Sequence, residues 1–227
     1  MVALQKKGLK SPIILFLTII ALQTSFSQTI SSSLPPQIDT TGKWLFYLHG
    51  AIVQQQGINA VSKDFGPYKY LQILDTLKNR GFHVISEARP KDTRPEDWAN
   101  KISKQMDSLI RAKLPPQNIT VVGASAGAEI TMEIALHLKN SKINYVIMGM
   151  CGPGVDKEYE GKELCGNFLS IYESSDTHGS CNNIFGQKKC GGSFKEIQIN
   201  TGKGHGFLYQ PYKEWVDPLM KWIKEKK

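Results

Sequence analysis

The chain has 227 residues, 41% of them hydrophobic, and a formal net charge of +8. That length supports one well-filled core, so a single folded domain is expected. The basic residues are scattered apart from Lys221, Lys224, Lys226 and Lys227, and no basic stripe is interleaved with aromatics, which argues against nucleic acid as a partner.

Lys6, Lys7 and Lys10 precede the apolar run Ile13 to Leu22, and small residues at Ser25 and Ser27 suit signal peptidase. Ten apolar residues are too few to cross a bilayer. Residues 1–27 therefore read as a secretory signal, with an uncleaved anchor as the alternative and a secreted or periplasmic location as the consequence. The mature chain then starts near Gln28 with no stable membrane span. Removing three lysines and no acids lowers the charge from +8 to +5. Residues 28–42, rich in Ser, Thr and Pro, read as a disordered leader, and 43–227 as the folded domain.

Trp44 to Leu48 is a continuous apolar run of strand length that ends at His49-Gly50, the pattern of a strand buried on both faces. Pro67 to Arg80 reads as a helix stopped by Gly81, with Tyr70, Leu71, Leu74 and Leu77 on one side. Phe82 to Ser86 is a strand. Pro95 starts a long helix carrying Trp98, Ile102, Met106, Leu109 and Ile110, which ends before Pro115-Pro116. Ile119 to Val122 is a β-branched strand, Ala128 to Leu138 a helix and Tyr145 to Met148 a strand. After a Gly- and Cys-bearing excursion over 150–167, strands follow at Phe168 to Tyr172 and Phe194 to Ile199. Pro211 to Lys224 closes the chain as an amphipathic helix, kinked or restarted at Pro218. This alternation predicts an α/β fold: a mostly parallel sheet of about six strands with helices on both faces.

Cys151, Cys165, Cys181 and Cys190 form an even set within forty residues, which in an exported chain favours disulfides. Pairing Cys151 with Cys165 and Cys181 with Cys190 would close two short Gly-bearing loops. Zinc is disfavoured because no C-x₂₋₄-C spacing is present.

Between the strand at 119–122 and the helix at 128–138 lies Gly123-Ala124-Ser125-Ala126-Gly127. A serine between glycines at a strand-to-helix turn has the form of a nucleophile elbow, where small neighbours permit a sharp reversal that exposes the hydroxyl. A serine hydroxyl needs a base, and the base needs a group to orient it. Glu173-Ser174-Ser175-Asp176 and Gly202-Lys203-Gly204-His205-Gly206 each follow a later strand, at the carboxyl ends where parallel sheets bind ligands.

With the order Ser125, Asp176, His205, each at a strand end, the chain over about 44–226 resembles the α/β-hydrolase fold family of serine hydrolases and esterases. The resemblance implies Ser125 as nucleophile, His205 as general base and then acid, and Asp176 as orienting carboxylate. It also implies backbone N–H groups of Ala51 and Ala126 as the oxyanion hole, a small-molecule ester or acyl substrate, and no cofactor or metal. The family's His-Gly-Gly-Gly loop is reduced here to His49-Gly50-Ala51-Ile52. There is no room before the first core strand for the antiparallel strands that often precede it in the family, so a trimmed fold with no large cap domain is expected. His178 competes with His205 as the base, and Glu173 and Asp156 compete with Asp176 as the acid. His49 reads as a loop brace. Arg89 is a candidate substrate ligand, or else a structural partner of Glu87 or Asp92. The expected chemistry is ester hydrolysis by an acyl-enzyme route. Peptidase or other acyl-bond chemistry on the same triad, and a non-catalytic binding protein keeping the fold, stay open, as does the oligomeric state.

Overall fold

The computed structural model describes residues 27–186 and 190–226. The signal reading falls almost wholly on residues outside that range. Seven strands form one parallel sheet in the order β1-β5-β2-β6-β7-β8-β9. They are β1 (Ile30–Ser31), β2 (Lys43–Leu48), β5 (Phe82–Ile85), β6 (Ile119–Ala124), β7 (Asn144–Met148), β8 (Asn167–Glu173) and β9 (Phe194–Ile199). A two-stranded antiparallel ribbon, β3 (Val61–Ser62) with β4 (Gly66–Pro67), stands apart from it. The helices are α1 (Ala51–Gln56), α2 (Tyr70–Asn79), α3 (Pro95–Arg111), α4 (Ala126–Leu138), α5 (Val155–Glu158), α6 (Asn182–Phe185) and α7 (Lys213–Glu225).

Alternate side chains of each strand enter different cores. Leu45 and Tyr47 of β2 and Val122 and Ala124 of β6 join the apolar faces of α2 and α7 on one side. Trp44, Phe46 and Leu48 of β2 and Ile119 and Val121 of β6 join α3 and α4 on the other. Burial on both faces explains why these strands read as unbroken apolar runs rather than alternating ones. Among the described residues, no helix is long and apolar enough to cross a membrane.

Three expectations are corrected. The segment 28–42 is no free leader: β1 pairs with β5 through Ile30–Val84 and Ser31–Ile85, adding a seventh strand to the expected six. Asp39 anchors its far end, accepting hydrogen bonds from the Thr41 and Gly42 amides and from His83 Nε2, while Trp44 Nε1 donates to its carbonyl. Of the two readings of α7, kinked or restarted at Pro218, the restart is excluded, because one helix runs through the proline. The disulfides are Cys151–Cys181 and Cys165–Cys190, not the short-loop pairs.

The pairing follows from the topology. Cys151 lies just past the carboxyl end of β7, and Cys165 lies just before the amino end of β8. A parallel connection must carry the chain across the full height of the sheet. Two sequence-adjacent cysteines on such a connection end up roughly a strand length, about 17 Å, apart. A disulfide needs Cα atoms within about 7 Å. Each bond instead links neighbouring connections on one rim, with Cα separations of 5.2 and 4.9 Å.

Candidate active site

The elbow is set by steric crowding on both sides. A β-carbon at Gly123 would overlap the Gly127 carbonyl oxygen and the Thr131 hydroxyl, and one at Gly127 would overlap the Leu48 carbonyl oxygen. With the chain pressed this closely into β2, Ser125 is forced to φ 53° and ψ −121°, one of three non-glycine residues with positive φ among the described residues. Such a conformation costs on the order of 1–3 kcal/mol and persists only where its surroundings over-determine it. Its amide is tied down by a 2.8 Å bond to the Met148 carbonyl at the end of β7.

Asp176 and His205 come from the turns after β8 and β9, and the structure brings them together. His205 Nδ1 lies 2.8 Å from Asp176 Oδ2, while His178 Nδ1 lies 3.2 Å from the other oxygen, Oδ1. Burial pushes the Asp176 carboxyl up, but hydrogen bonds from His205 and His178 outweigh it and hold the group below the ordinary carboxylate range. The His205 ring rests on Gly149, where a β-carbon would stand 3.1 Å from its Cε1. The Met148–Gly149 segment thus touches Ser125 through its backbone and His205 through its ring. Among the described residues no hydrogen bond joins the Ser125 hydroxyl to His205, so the contacts link His205 to Asp176 and leave that hydroxyl outside the pair. That hydroxyl turns about one bond, and catalytic hydrogen bonds are often long until substrate binds.

The competing acids are separated by position. Asp156 lies in α5 on the wall of the cavity beside His178, whereas both imidazoles are hydrogen-bonded to Asp176. Glu173 is fully buried and binds backbone instead of a histidine: the Thr201 amide and hydroxyl donate to Oε2, and the Ser175 amide donates to Oε1. Burial alone would raise its pKa, but the Thr201 and Ser175 hydrogen bonds bring it down to about 2. Glu173 therefore clamps the Asp176 turn to the His205 turn. A charged residue at the end of an otherwise apolar strand was the sequence signal of this clamp. Phe65, from the β3–β4 ribbon, packs against Gly206 and lies 6.5 Å from the His205 ring; nothing in the sequence marked it.

The His49-Gly50-Ala51-Ile52 loop is braced from below. His49 is fully buried, and burial followed by the nearby Arg89 charge lowers its pKa to about 3, so the ring is neutral. Its Nδ1 donates to the Gly50 carbonyl and its Nε2 accepts the Arg89 amide, which fixes the tautomer. Arg89, the candidate substrate ligand, is 2% exposed and donates to the His49 carbonyl and the Gln54 side chain, while its Nη1 has no hydrogen-bond partner among the described residues. Glu87 pairs with Lys101 instead. Ala51 and Ala126 occupy the first positions of α1 and α4, where helical pairing leaves N–H groups free.

A cavity of about 600 Å³ opens beside His178, with Cys151, Gly152, Pro153, Thr177, Gly179 and Asn183 among its walls. On its wall, a β-carbon at Gly152 would stand 4.0 Å from the His178 ring. The Cys151–Cys181 disulfide ties its two sides together.

No protein-family model and no curated protein matches the chain. Solved structures do match in shape. A monoglyceride lipase from Saccharomyces cerevisiae superposes with a TM-score of 0.53 at 10% identity, covering 82% of this chain and 87% of that one. Est1E from Butyrivibrio proteoclasticus, solved with ferulic acid, gives 0.50 at 12% identity over 85% and 91%. A Desulfitobacterium hafniense protein assigned to the α/β hydrolase family gives 0.51 at 10% over 82% and 96%. The chain has the α/β-hydrolase fold, in one domain.

Proposed function

We propose that the protein is an exported hydrolase that cleaves carboxylic esters through a covalent acyl-enzyme on Ser125. The observation that carries this reading is a strained, sterically locked serine separated by one glycine segment from an imidazole already bound to a buried carboxylate. Ser125 Oγ attacks the ester carbonyl while His205 Nε2 takes its proton, and Asp176 on Nδ1 holds the tautomer that leaves Nε2 free to accept. The N–H groups of Ala51 and Ala126 hold the oxyanion, each typically lowering such a barrier by about 3 kcal/mol. The carbon–oxygen bond to the alcohol then breaks, and Nε2 returns the proton to the leaving oxygen. Water, deprotonated by the same nitrogen, releases the acid and restores the serine.

The cavity beside His178, about 600 Å³, is of the size that takes a small ester. Two disulfides fit an oxidising compartment and so support export. The test is a fluorophosphonate probe read by mass spectrometry. One adduct on Ser125, abolished in Ser125→Ala together with turnover of p-nitrophenyl acetate, is expected. An enzyme that turns over esters without being labelled overturns the mechanism. A panel of short-chain esters against peptides separates ester from amide cleavage.

A further inference from the structure

We propose that Asp176, His178 and His205 form a binding site for a zinc-class divalent cation, and that its occupancy shuts the hydrolase off. The second half rests on the function proposed above; the first does not.

A hydrolytic triad needs one imidazole on its carboxylate, and Asp176 carries two. His205 Nδ1 meets Oδ2 at 2.8 Å and His178 Nδ1 meets Oδ1 at 3.2 Å, with the ring centres 4.8 Å apart. The three side chains present ligand atoms all within 4.8 Å of one another. Zinc bound at about 2.0–2.2 Å to nitrogen and oxygen holds ligand atoms about 3.3 Å apart. Closing around a cation thus takes a shift of up to about 1.5 Å, which falls to the exposed imidazole. His178 is that group: its side chain is 41% exposed, against 21% for His205 and 2% for Asp176, so the site has one buried anchor and an open face. Two imidazoles and one carboxylate select zinc over calcium or magnesium, which prefer all-oxygen sets.

Occupancy has a defined consequence for the base. A neutral imidazole holds one ring proton. With Nδ1 bound to the cation, that proton resides on Nε2, the nitrogen that must accept the Ser125 hydrogen. The ring gains no charge and loses no proton overall, but as a base it is blocked.

The experiment titrates zinc sulfate into the purified protein in competition with a chromophoric zinc indicator. One site per chain is expected in the wild type. Affinity should fall at least tenfold in both His178→Ala and His178→Gln, the latter keeping an N–H for Asp176 so that the turn is preserved. His137→Ala, on the exposed face of α4, should bind as the wild type does, and calcium should not displace zinc. In parallel, zinc should suppress ester turnover by the wild type, reversibly with a chelator, and suppression of either His178 variant should need at least tenfold more. Absence of a one-site isotherm, or equal binding by wild type and both His178 variants, overturns the proposal. Zinc binding through His178 in a protein that turns over no acyl substrate when metal-free keeps the site and removes the hydrolase reading. Ester turnover with no His178-dependent binding does the reverse.

Discussion

Gly127 in the first turn of α4 lies so close to Leu48 that any side chain there would overlap the Leu48 carbonyl oxygen. Leu48 is the last residue of β2 and is followed directly by His49-Gly50-Ala51. One backbone contact therefore sets the distance between the serine elbow and the loop that would supply the second oxyanion donor. Gly127→Ala should destabilise the fold by about 3 kcal/mol, because backbone must move to admit the methyl group. Denaturant unfolding measures this, and fluorophosphonate labelling of Ser125 should slow in the same variant. Unchanged stability would mean that the contact is not structural.

Asp176→Asn keeps the shape of the side chain but removes the charge that favours the Nδ1–H tautomer of His205. Ester kcat/KM should drop by roughly 10³- to 10⁴-fold, with KM little changed. A circular dichroism spectrum like that of the wild type would show that the loss is chemical.

Glu173 ties stability to acid. Its folded pKa, about 2, lies below the ordinary glutamate value of 4.5, so its contribution is complete above about 4.5 and is lost as the pH falls through about 2. Glu173→Gln should cost about 1–3 kcal/mol at neutral pH, since buried donors from the Thr201 turn lose their charged acceptor. The difference between wild type and variant should shrink on acidification between those two values. Urea midpoints measured from pH 7 to pH 2 check both the size and the sign. A gap that stays constant would remove Glu173 from the acid response.

The disulfide register makes a discrete prediction. In Cys151→Ser the thiol left free for alkylation should be Cys181, and in Cys165→Ser it should be Cys190. With sequence separations of 30 and 25, loss of either bond should cost about 3 kcal/mol. A peptide map under non-reducing conditions reads the connectivity directly.

Much of this molecule is legible locally. Apolar runs such as Trp44 to Leu48 announce strands covered on both faces, because no polar residue interrupts the period. The two glycines around Ser125 announce a turn with no space for side chains, since only glycine survives such crowding. The order Ser125, Asp176, His205 follows from where β6, β8 and β9 end. What local pattern lacks is any measure of which rim a segment occupies and what lies across from it. That is why Cys151 is drawn to Cys165 on sequence distance, and why Arg89 after β5 looks available to a ligand.

The amino-acid order alone determined the alternation of strands and helices, the elbow and the identity of three candidate reacting side chains, because these depend on periodicity and on backbone sterics within a few residues. Only the tertiary structure decided that Glu173 bonds the Thr201 turn, that Arg89 is buried against His49 and Gln54, that Ile30 and Ser31 join the sheet, and that two imidazoles share Asp176. Each of those outcomes turns on a distance between residues far apart in the chain, and such distances exist only once the parallel crossovers have assigned every connection to one rim of the sheet or the other.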